Sequence, residues 1–462
     1  MDTSLTKTVV AAGIGGLAAG AALHYLYTLH AEKQKRSTGL TDAKLNSTDV
    51  SFRYSPQKPA TYEDIGESDA VLKKDAVKKA IYGAPVTGSV ILDFDFLEGF
   101  MKDVFVSYGV PEADASIAAN VLISSDKRGI DSHGIGRLKP IYCDRMDAGI
   151  LKPHAPMKIL KQTKNTAVID GGGGLGLVIG PKCMKVAIDM AKEHGIGMVC
   201  VRNSTHYGFA GYYPLMAVNE GCIGITGTNA RPSIAPTYGV QPCCGTNPLV
   251  FGMPSADDFP FILDCATSVN QRGKIEKYAR EGKPTPAGCV ISRTGEELTD
   301  SKEILKALVA KTAALTPLGG AGHAMGGYKG YGFAAVVELL CSALQDNKFG
   351  ADLADSYIED GVKKRRPSLL GHFFIAINVE AFASAEKFEG RVSEILSMFR
   401  ESEKDPRGPG RIYTAGEPEH VAWSKRSHCG GTPVPPVLQD QMRQLRDKSP
   451  TLRKKFPKLP FE

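Results

Sequence analysis

The sequence lacks the signatures of several common classes of protein. It has 10 cysteines, but no two have the CxxC spacing of a zinc site or a thiol redox motif. It has no GxSxG segment, which argues against a hydrolase with a nucleophile elbow. The net charge is only +6, and no basic cluster in the middle of the chain favours nucleic acid. We expect scattered, buried thiols in a reducing compartment, and no metal site.

One stretch near the N-terminus is free of charged side chains. Residues 8–31 contain no Lys, Arg, Asp or Glu and are rich in Gly and Ala. Such a run has the length of a transmembrane helix, about 20 residues. Lys33, Lys35 and Arg36 follow, which would place the rest of the chain on the cytoplasmic side. The pattern predicts a membrane anchor through residues 8–30, with a mitochondrial protein or a cytoplasmic protein with an Ala/Gly-rich extension as alternatives.

Hydrophobic patterning divides the chain into five parts. A polar stretch without sustained periodicity follows the N-terminal run, and regular patterns begin near Val90. The predicted parts are an anchor or targeting segment (1–36), a disordered linker (37–90), the helical part of a substrate domain (91–165), a cofactor-binding α/β domain (166–350), and a C-terminal part that packs back on the helical domain and ends in a basic tail (351–462).

A glycine-rich turn follows the first strand predicted in the α/β part. Gly171, Gly173 and Gly176 formally satisfy the GxGxxG dinucleotide fingerprint. However, four consecutive glycines satisfy almost any such pattern by chance. The next helix is predicted to begin only near Pro181, too late for its N-terminus to hold a phosphate. We therefore predict that this turn is not a Rossmann loop.

Two separated segments carry side chains suited to acid/base chemistry. Ser132, His133 and Arg137 lie within seven residues, between glycines. A guanidinium matches a carboxylate in a bidentate pair, and an imidazole exchanges protons near neutral pH. His206 follows a buried strand, where α/β enzymes often place catalytic groups. The alternative is a helix end with a capping serine and structural histidines. The pattern favours a site that binds a small acid and moves its protons.

Five segments, taken in order and spacing, resemble one family of enzymes. They are Asp131–Arg137, Asn203–Gly208, Gly245–Pro248, Asp264–Ser268 and Gly327–Gly332. The chain resembles, over about residues 92–435, the malate/L-lactate dehydrogenase family, which also includes sulfolactate and ureidoglycolate dehydrogenases and a cyclic-imine reductase. The resemblance implies an α/β fold, with a mixed-sheet NAD(P)-binding domain of non-Rossmann type inserted in a helix-rich domain. It also implies a homodimer, NAD or NADP as cofactor, and a small carboxylic acid as substrate.

The resemblance implies roles for individual residues as well. His206 matches the general acid/base, His133 and Arg137 match a catalytic and substrate-contacting pair, and Ser132 would help to hold the substrate or the cofactor. The expected cofactor contacts are Ala230, Asp264, Cys265, Ala266, Lys329, Gly416, Glu417 and Pro418. Two positions depart from many relatives. Cys265 stands in place of Met, and Ile141 stands in place of a substrate-side Tyr, with Tyr142 next to it as the substitute.

The sequence therefore predicts an oxidoreductase that transfers a hydride between NAD(P) and a small 2-hydroxy acid, with malate as the first candidate. Two alternatives stay open. One is an NAD(P)H-dependent reductase of a cyclic imino acid, which would reuse Arg137 and His206. The other is a membrane-tethered binding protein without catalytic activity.

Overall fold

The computed structural model describes residues 39–52, 86–408 and 410–462. The strands in these ranges are β1 (Val90–Leu92), β2 (Lys158–Gln162), β3 (Thr166–Asp170), β4 (Ile196–Ser204), β5 (Cys222–Thr228), β6 (Leu249–Met253), β7 (Phe261–Cys265), β8 (Val290–Ser292), β9 (Ala313–Leu315), β10 (Ser356–Glu359), β11 (Val362–Arg365), β12 (Leu370–Asn378) and β13 (Thr432–Val434).

The α-helices in the same ranges are α1 (Asp42–Asn46), α2 (Phe94–Ser107), α3 (Glu112–Lys127), α4 (Asp144–Asp147), α5 (Gly176–His194), α6 (Tyr212–Asn219), α7 (Arg272–Glu281), α8 (Ser301–Ala310), α9 (Gly327–Ser342), α10 (Ala385–Glu401), α11 (Glu417–His428), α12 (Pro436–Lys448) and α13 (Pro450–Lys455). The chain between α3 and α4 forms a short 3-10 turn, Ile135–Arg137, and then a π-helical turn, Leu138–Cys143.

Seven strands form one mixed sheet in the order β2-β3-β4-β12-β5-β6-β7. The β3–β4 pair is parallel, and the other five pairs in this sheet are antiparallel. A Rossmann unit is built on a mostly parallel sheet, so the predicted mixed, non-Rossmann α/β fold is confirmed. The central strand β12 comes from beyond residue 350, where the sequence analysis had placed the end of this domain.

Helices cover both faces of the sheet. Phe374 of β12 belongs to the large core that α5 and α6 share, whereas its neighbour Phe373 packs with Val337 and Cys341 of α9. This alternation follows from the two-residue period of a strand. It also explains why β12 is buried along most of its length. The sheet thus lies between two helical layers. The loops at its strand ends are outside these layers and can contribute side chains to an active site.

The two ends of the described chain meet beside the sheet. Strand β1 pairs with β13, so that Val90 lies opposite Val434. The rings of Phe96 and Phe100 on α2 pack against Phe456, with centroids 6.1 and 5.3 Å apart. Helices α2 and α3 are separated by a turn in which Gly109 has a φ of +87°. The C-terminal part therefore packs on the N-terminal helices.

The predicted linker, 37–90, is in part ordered. Residues 39–52 include α1, whose Leu45 is fully buried, and the carboxylate of Asp42 accepts a hydrogen bond of 2.8 Å from the amide of Ile159 in β2. Three apolar residues, Leu40, Leu45 and Val50, are buried and are enough for this packing. They are too few and too widely spaced to predict a helix from the sequence. Residues 37–38 and 53–85 of that linker lie outside the described residues.

The predicted membrane anchorage is corrected here. Across the described ranges no helix combines the length and the apolar character that crossing a bilayer requires. The predicted anchor itself, residues 8–31, lies outside the described residues. The prediction rested on an absence of charge in a run of Gly and Ala, which are far less apolar than the Leu, Ile, Phe and Val of typical spanning helices.

Candidate active site

The loop that carries His206 is held by the glycine run. The side-chain oxygen of Thr205 accepts a hydrogen bond of 3.0 Å from the amide of Gly176 and donates to the carbonyl of Gly174 at 2.9 Å. A Cβ on Gly176 would lie 2.2 Å from the carbonyl oxygen of Thr205. Helix α5 begins at Gly176, five residues before the predicted start near Pro181, because these tertiary contacts fix its first turn. The glycines thus serve close packing against the loop.

Tyr142 orients the imidazole of His206. Its hydroxyl lies 2.7 Å from Nδ1 of His206, and the amide of Gly208 donates to the same nitrogen at 3.3 Å. Tyr142 is fully buried, whereas His206 is half-buried. The other ring nitrogen, Nε2, has no hydrogen-bond partner among the described residues. It is therefore the atom available to a bound molecule.

The wide turn at Leu138–Cys143 explains how Tyr142 reaches this position. A π-helical turn has i→i+5 hydrogen bonds and accommodates one more residue than an α-helical turn. It brings a tyrosine five residues after Arg137 beside the imidazole. Tyr142, which follows the position where many relatives have a tyrosine and this chain has Ile141, is thus in contact with His206.

A second imidazole lies beside the first. The rings of His133 and His206 are almost parallel, with an interplanar angle of 17° and centroids 5.7 Å apart. Ser132 Oγ lies 2.8 Å from Nδ1 of His133. Burial and the charge of Arg137 lower the pKa of His133 to about 4. Burial lowers the pKa of His206 well below 6.5, and the charges of Arg145 and Arg137, together with any proton on His133, act in the same direction. Both rings are therefore neutral at pH 7.

A buried carboxyl supports the turn that carries His133. Asp126, at the end of α3, accepts a hydrogen bond of 2.8 Å from the amide of Ile135. A Cβ on Gly134 would collide with this carboxyl group, so glycine is needed there. Arg426 donates to both carboxylate oxygens of Asp131 at 2.7 and 3.0 Å. These contacts fix the backbone between the two residues that face the site, His133 and Arg137.

Positive charge surrounds the two imidazoles. The guanidinium of Arg137 donates to the carbonyl of Ser132. Arg145, which the sequence analysis missed, forms an ion pair of 3.1 Å with Asp355. Burial lowers the pKa of both guanidinium groups, but both stay charged at neutral pH. A site with this composition attracts an anion and offers it two neutral imidazoles.

Two of the predicted cofactor contacts line one cavity. Asp264, near the end of β7, accepts a hydrogen bond of 2.7 Å from the amide of Gly211. Gly416, from a distant part of the chain, lines the same cavity, together with Phe209 and Trp423. Gly416 has a φ of +92°, and a Cβ there would lie 2.8 Å from the carbonyl of Pro260. The structure therefore brings these two segments together beside the loop that carries His206.

The other predicted cofactor contacts differ in what their side chains do. The Glu417 carboxylate is buried and turned inward, where it accepts from Arg411 and, at 3.0 Å, from the amide of Thr414. Pro418 is exposed in the first turn of α11. Cys265 Sγ lies 3.7 Å from the carbonyl of Leu249, at the edge of the sheet, and Ala266 follows it. Glu417 thus shapes the Gly416 turn, and its carboxylate faces away from the cavity.

Ala230 and Lys329 complete the predicted set. The amide of Ala230 donates to Asn247 at 3.2 Å, and Asn247 in turn donates to Glu338 of α9 at 2.8 Å. Lys329 is exposed in the first turn of α9, with its ammonium 5.8 Å from the ring centre of Tyr328. No hydrogen bond or ion pair among the described residues joins Lys329 to the His206 cluster.

These residues fit a nicotinamide cofactor on two observations. The hydroxyl of Ser268, just after the Asp264–Ala266 segment, is buried without a hydrogen-bond partner among the described residues. The N-terminus of α9 follows Gly326, has no side-chain cap and carries Lys329. Such a helix end suits a phosphate group. A buried unpaired hydroxyl and a cationic helix N-terminus are thus available to the two halves of a dinucleotide.

The fold and these residues together indicate a class: a dehydrogenase in which a non-Rossmann sheet carries two stacked imidazoles with a guanidinium close to them. The sequence profile of the malate/L-lactate dehydrogenase family matches residues 92–443. This chain belongs to that family, and it is an NAD(P)-dependent oxidoreductase of small 2-hydroxy acids.

Individual relatives agree in sequence and in structure. A malate dehydrogenase of Pyrococcus abyssi is 40% identical over 351 residues, which cover 76% of this chain and 92% of that protein. An L-sulfolactate dehydrogenase of Methanocaldococcus jannaschii is 36% identical over 343 residues, 74% of this chain and 92% of the relative. The crystal structure of a malate dehydrogenase from Entamoeba histolytica superposes with a TM-score of 0.73 at 40% identity, covering 78% of this chain and 98% of that one.

Proposed function

We propose that this protein oxidises malate to oxaloacetate, and catalyses the reverse reaction, with NAD(P) as the hydride carrier. The observation that supports this most directly is the convergence of His206, His133 and Arg137 in one half-buried cluster, where the two imidazoles stack with centroids 5.7 Å apart and Arg137 lowers the pKa of both. Relatives named for malate and sulfolactate support the choice of substrate, since each of these acids carries a second anionic group.

In this proposal His206 is the general base for the substrate hydroxyl. In the tautomer with its proton on Nδ1, that nitrogen donates to the hydroxyl of Tyr142 and no longer accepts from the amide of Gly208, and the lone pair of Nε2 is free to take the hydroxyl proton. The lowered pKa of His206 keeps the ring neutral and ready to accept this proton at pH 7. His133, stacked 5.7 Å away, is placed to bind the same substrate oxygen. Together the two imidazoles orient the carbinol group.

Arg137 binds the carboxylate next to the carbinol carbon. Its position in the 3-10 turn is fixed by the hydrogen bond to the carbonyl of Ser132 and by the support of Asp126 below the turn. A guanidinium and a carboxylate form a bidentate pair that fixes orientation as well as affinity. When bound, the nicotinamide accepts the hydride of the carbinol C–H. Asp264, Ser268, Gly416, Ala230 and Lys329 are the residues proposed to hold the cofactor.

We propose further that the protein acts as a homodimer through the outer face of α9. Phe333, Val336 and Leu339 lie at helical spacing on this face and are 52%, 47% and 60% exposed. A contiguous apolar patch of this kind is typical of a protein interface.

The double variant Phe333→Glu, Leu339→Glu should have half the molecular mass of the unmodified protein in sedimentation equilibrium. Val309→Glu, on the exposed apolar residue of α8, is the matched control and should leave the mass unchanged.

The proposed activity is tested by a screen of the full chain with NADH and with NADPH. Oxaloacetate, pyruvate and a cyclic imino acid are offered as oxidants, and consumption of the reduced cofactor is followed by absorbance at the nicotinamide band. We expect the highest kcat/KM with oxaloacetate. Turnover of the cyclic imine alone would replace this proposal with an imine reductase, and turnover of none would leave it without support.

A further inference from the structure

Asn247 is a buried residue that joins three segments of the proposed cofactor site. It lies in the loop before β6 and is fully buried. Its side-chain oxygen accepts a hydrogen bond of 3.2 Å from the amide of Ala230, in the loop after β5. Its backbone carbonyl accepts one of 3.1 Å from the hydroxyl of Thr267, in the loop after β7. Both loops carry residues that are proposed above to hold the cofactor.

The third segment is helix α9. The side-chain nitrogen of Asn247 donates to the Glu338 carboxylate at 2.8 Å and to the carbonyl of Ala334 at 3.0 Å, and both of these residues belong to α9. The Glu338 carboxylate also accepts a hydrogen bond of 3.4 Å from the side chain of Asn229, in the loop after β5. One amide group and one carboxylate therefore connect this loop to the helix.

The backbone of Asn247 adopts an uncommon conformation. Its φ is +33°, in the left-handed region that few residues other than glycine occupy. Such a conformation persists only where the surrounding contacts fix it. A Cβ on Gly245 would lie 2.5 Å from the side-chain oxygen of Asn247 and 2.5 Å from the carbonyl oxygen of Ala230. The loops before β6 and after β5 are thus in direct contact, and the Asn247 side chain links them.

A purely structural role is the alternative, and Asn120 provides the comparison. Its side chain donates to Glu98 at 2.9 Å and accepts from the hydroxyl of Tyr212 at 2.9 Å, so it joins α2, α3 and α6. Buried asparagines often satisfy polar groups in this way. None of those three helices carries a residue that is proposed to hold the cofactor. The contacts of Asn247, in contrast, join three segments that do.

We propose that Asn247, oriented by Glu338, is a positioning residue that sets the spacing between the loop after β5, the loop after β7 and α9, and thereby determines the affinity for the cofactor. The inference rests on the proposed function, because it takes these three segments to be the ones that hold NAD(P). Loss of the Asn247 side chain would remove an acceptor from the Ala230 amide and the nearest donor from the Glu338 carboxylate. Both groups would then be free to shift.

The test measures the Kd of NADH by fluorescence with the full chain carrying Asn247→Gly. Glycine adopts positive φ without strain, so this variant loses the amide contacts and keeps the backbone conformation. We expect the affinity for NADH to fall by roughly 10-fold, the effect of losing one hydrogen bond to a charged group. The KM for malate should stay unchanged, because Arg137 lies on a different segment.

A double variant tests the contact with Glu338 itself. Asn247→Asp combined with Glu338→Gln exchanges donor and acceptor, since the new amide can donate to the new carboxylate. The new carboxylate also still accepts from the amide of Ala230. The double variant should therefore bind NADH more tightly than Asn247→Gly. The matched control, Asn120→Ala, should lower the unfolding temperature without weakening NADH binding.

Three outcomes would overturn the inference: an unchanged Kd in Asn247→Gly, an equal loss of NADH affinity in Asn120→Ala, or a double variant no better than Asn247→Gly. If Asn247→Gly does not fold, Glu338→Gln alone decides. Weaker NADH binding at an unchanged unfolding temperature supports the inference, and unchanged binding contradicts it. A protein that binds NADH but turns over no 2-hydroxy acid would refute the proposed function and leave this inference standing.

Discussion

Replacing Tyr142 with phenylalanine removes a single atom, the hydroxyl oxygen that lies 2.7 Å from Nδ1 of His206. The ring itself is fully buried and packs edge-on against Phe105, with centroids 6.0 Å apart. Phenylalanine keeps that packing, so we expect the fold to be unaffected. Tyr142→Phe should therefore change only the orientation and the protonation of the His206 ring.

The magnitude follows from the charge that develops on His206. A hydrogen bond to a charged group is worth about 1.5–3 kcal/mol, and about 1.4 kcal/mol is a factor of ten in rate. His206 becomes cationic as it takes the substrate proton, so the bond to Tyr142 strengthens as the reaction proceeds. Tyr142→Phe should then lower kcat for malate oxidation by roughly 10- to 100-fold. KM should change little, because Arg137 is untouched.

Steady-state kinetics of Tyr142→Phe and of a matched control measure this effect. Tyr108→Phe removes a hydroxyl that bonds to Asp147 at 3.2 Å, away from the pocket, and should leave kcat unchanged. The reasoning is refuted if Tyr142→Phe keeps the original kcat, or if it loses activity only in proportion to a loss of folded protein measured by circular dichroism.

Three further predictions concern the support of the site and its pH dependence. Gly176→Ala should lower both stability and kcat, because its Cβ would lie 2.2 Å from the carbonyl of Thr205. The matched control is Gly390→Ala in α10, where the added Cβ meets open space. It should raise the free energy of unfolding by about 0.5–1 kcal/mol, measured by urea unfolding. The pKa of His206 lies well below 6.5, so kcat/KM for malate oxidation should stay level from pH 8 to pH 6 and fall only in more acidic buffer. A fall in kcat/KM with an apparent pKa above 6.5 would contradict this. Burial raises the pKa of Asp126 to about 8, against about 3.9 for an unfolded Asp. The folded protein thus holds a proton that the unfolded chain has lost between these values, so the contribution of Asp126 to stability falls as the pH rises from about 4 to about 8, and Asp126→Asn should flatten that fall.

Local patterns in the sequence predicted the elements near the site well. The strand before His206 and the absence of a Rossmann loop follow from short-range signals: a run of apolar residues, and a glycine run too dense to be specific. His206 and Arg137 belong to different segments, and their meeting was expected from family resemblance, not from periodicity. In the folded chain they lie in one cluster, in which the charge of Arg137 lowers the pKa of His206.

What the sequence did not predict depends on tertiary contacts. The position of β12 at the centre of the sheet is set by its pairing with β4 and β5, strands more than 140 residues earlier. The start of α5 at Gly176 depends on Thr205, and the contact of Tyr142 with His206 depends on a π-helical turn that no spacing rule reveals. Arg145 carries no local motif, and only its position near His206 in the folded chain shows its relevance.

The central claim is that His206 transfers the proton of a small hydroxy acid in a pocket built from distant segments. Single-turnover oxidation of malate by His206→Gln, with NADH binding followed by fluorescence, tests this claim most directly. We predict that turnover falls by about 100-fold or more, the contribution of a positioned general base, while the affinity for NADH is unchanged. Turnover within a few-fold of the unmodified protein, with NADH bound normally, would contradict the assignment.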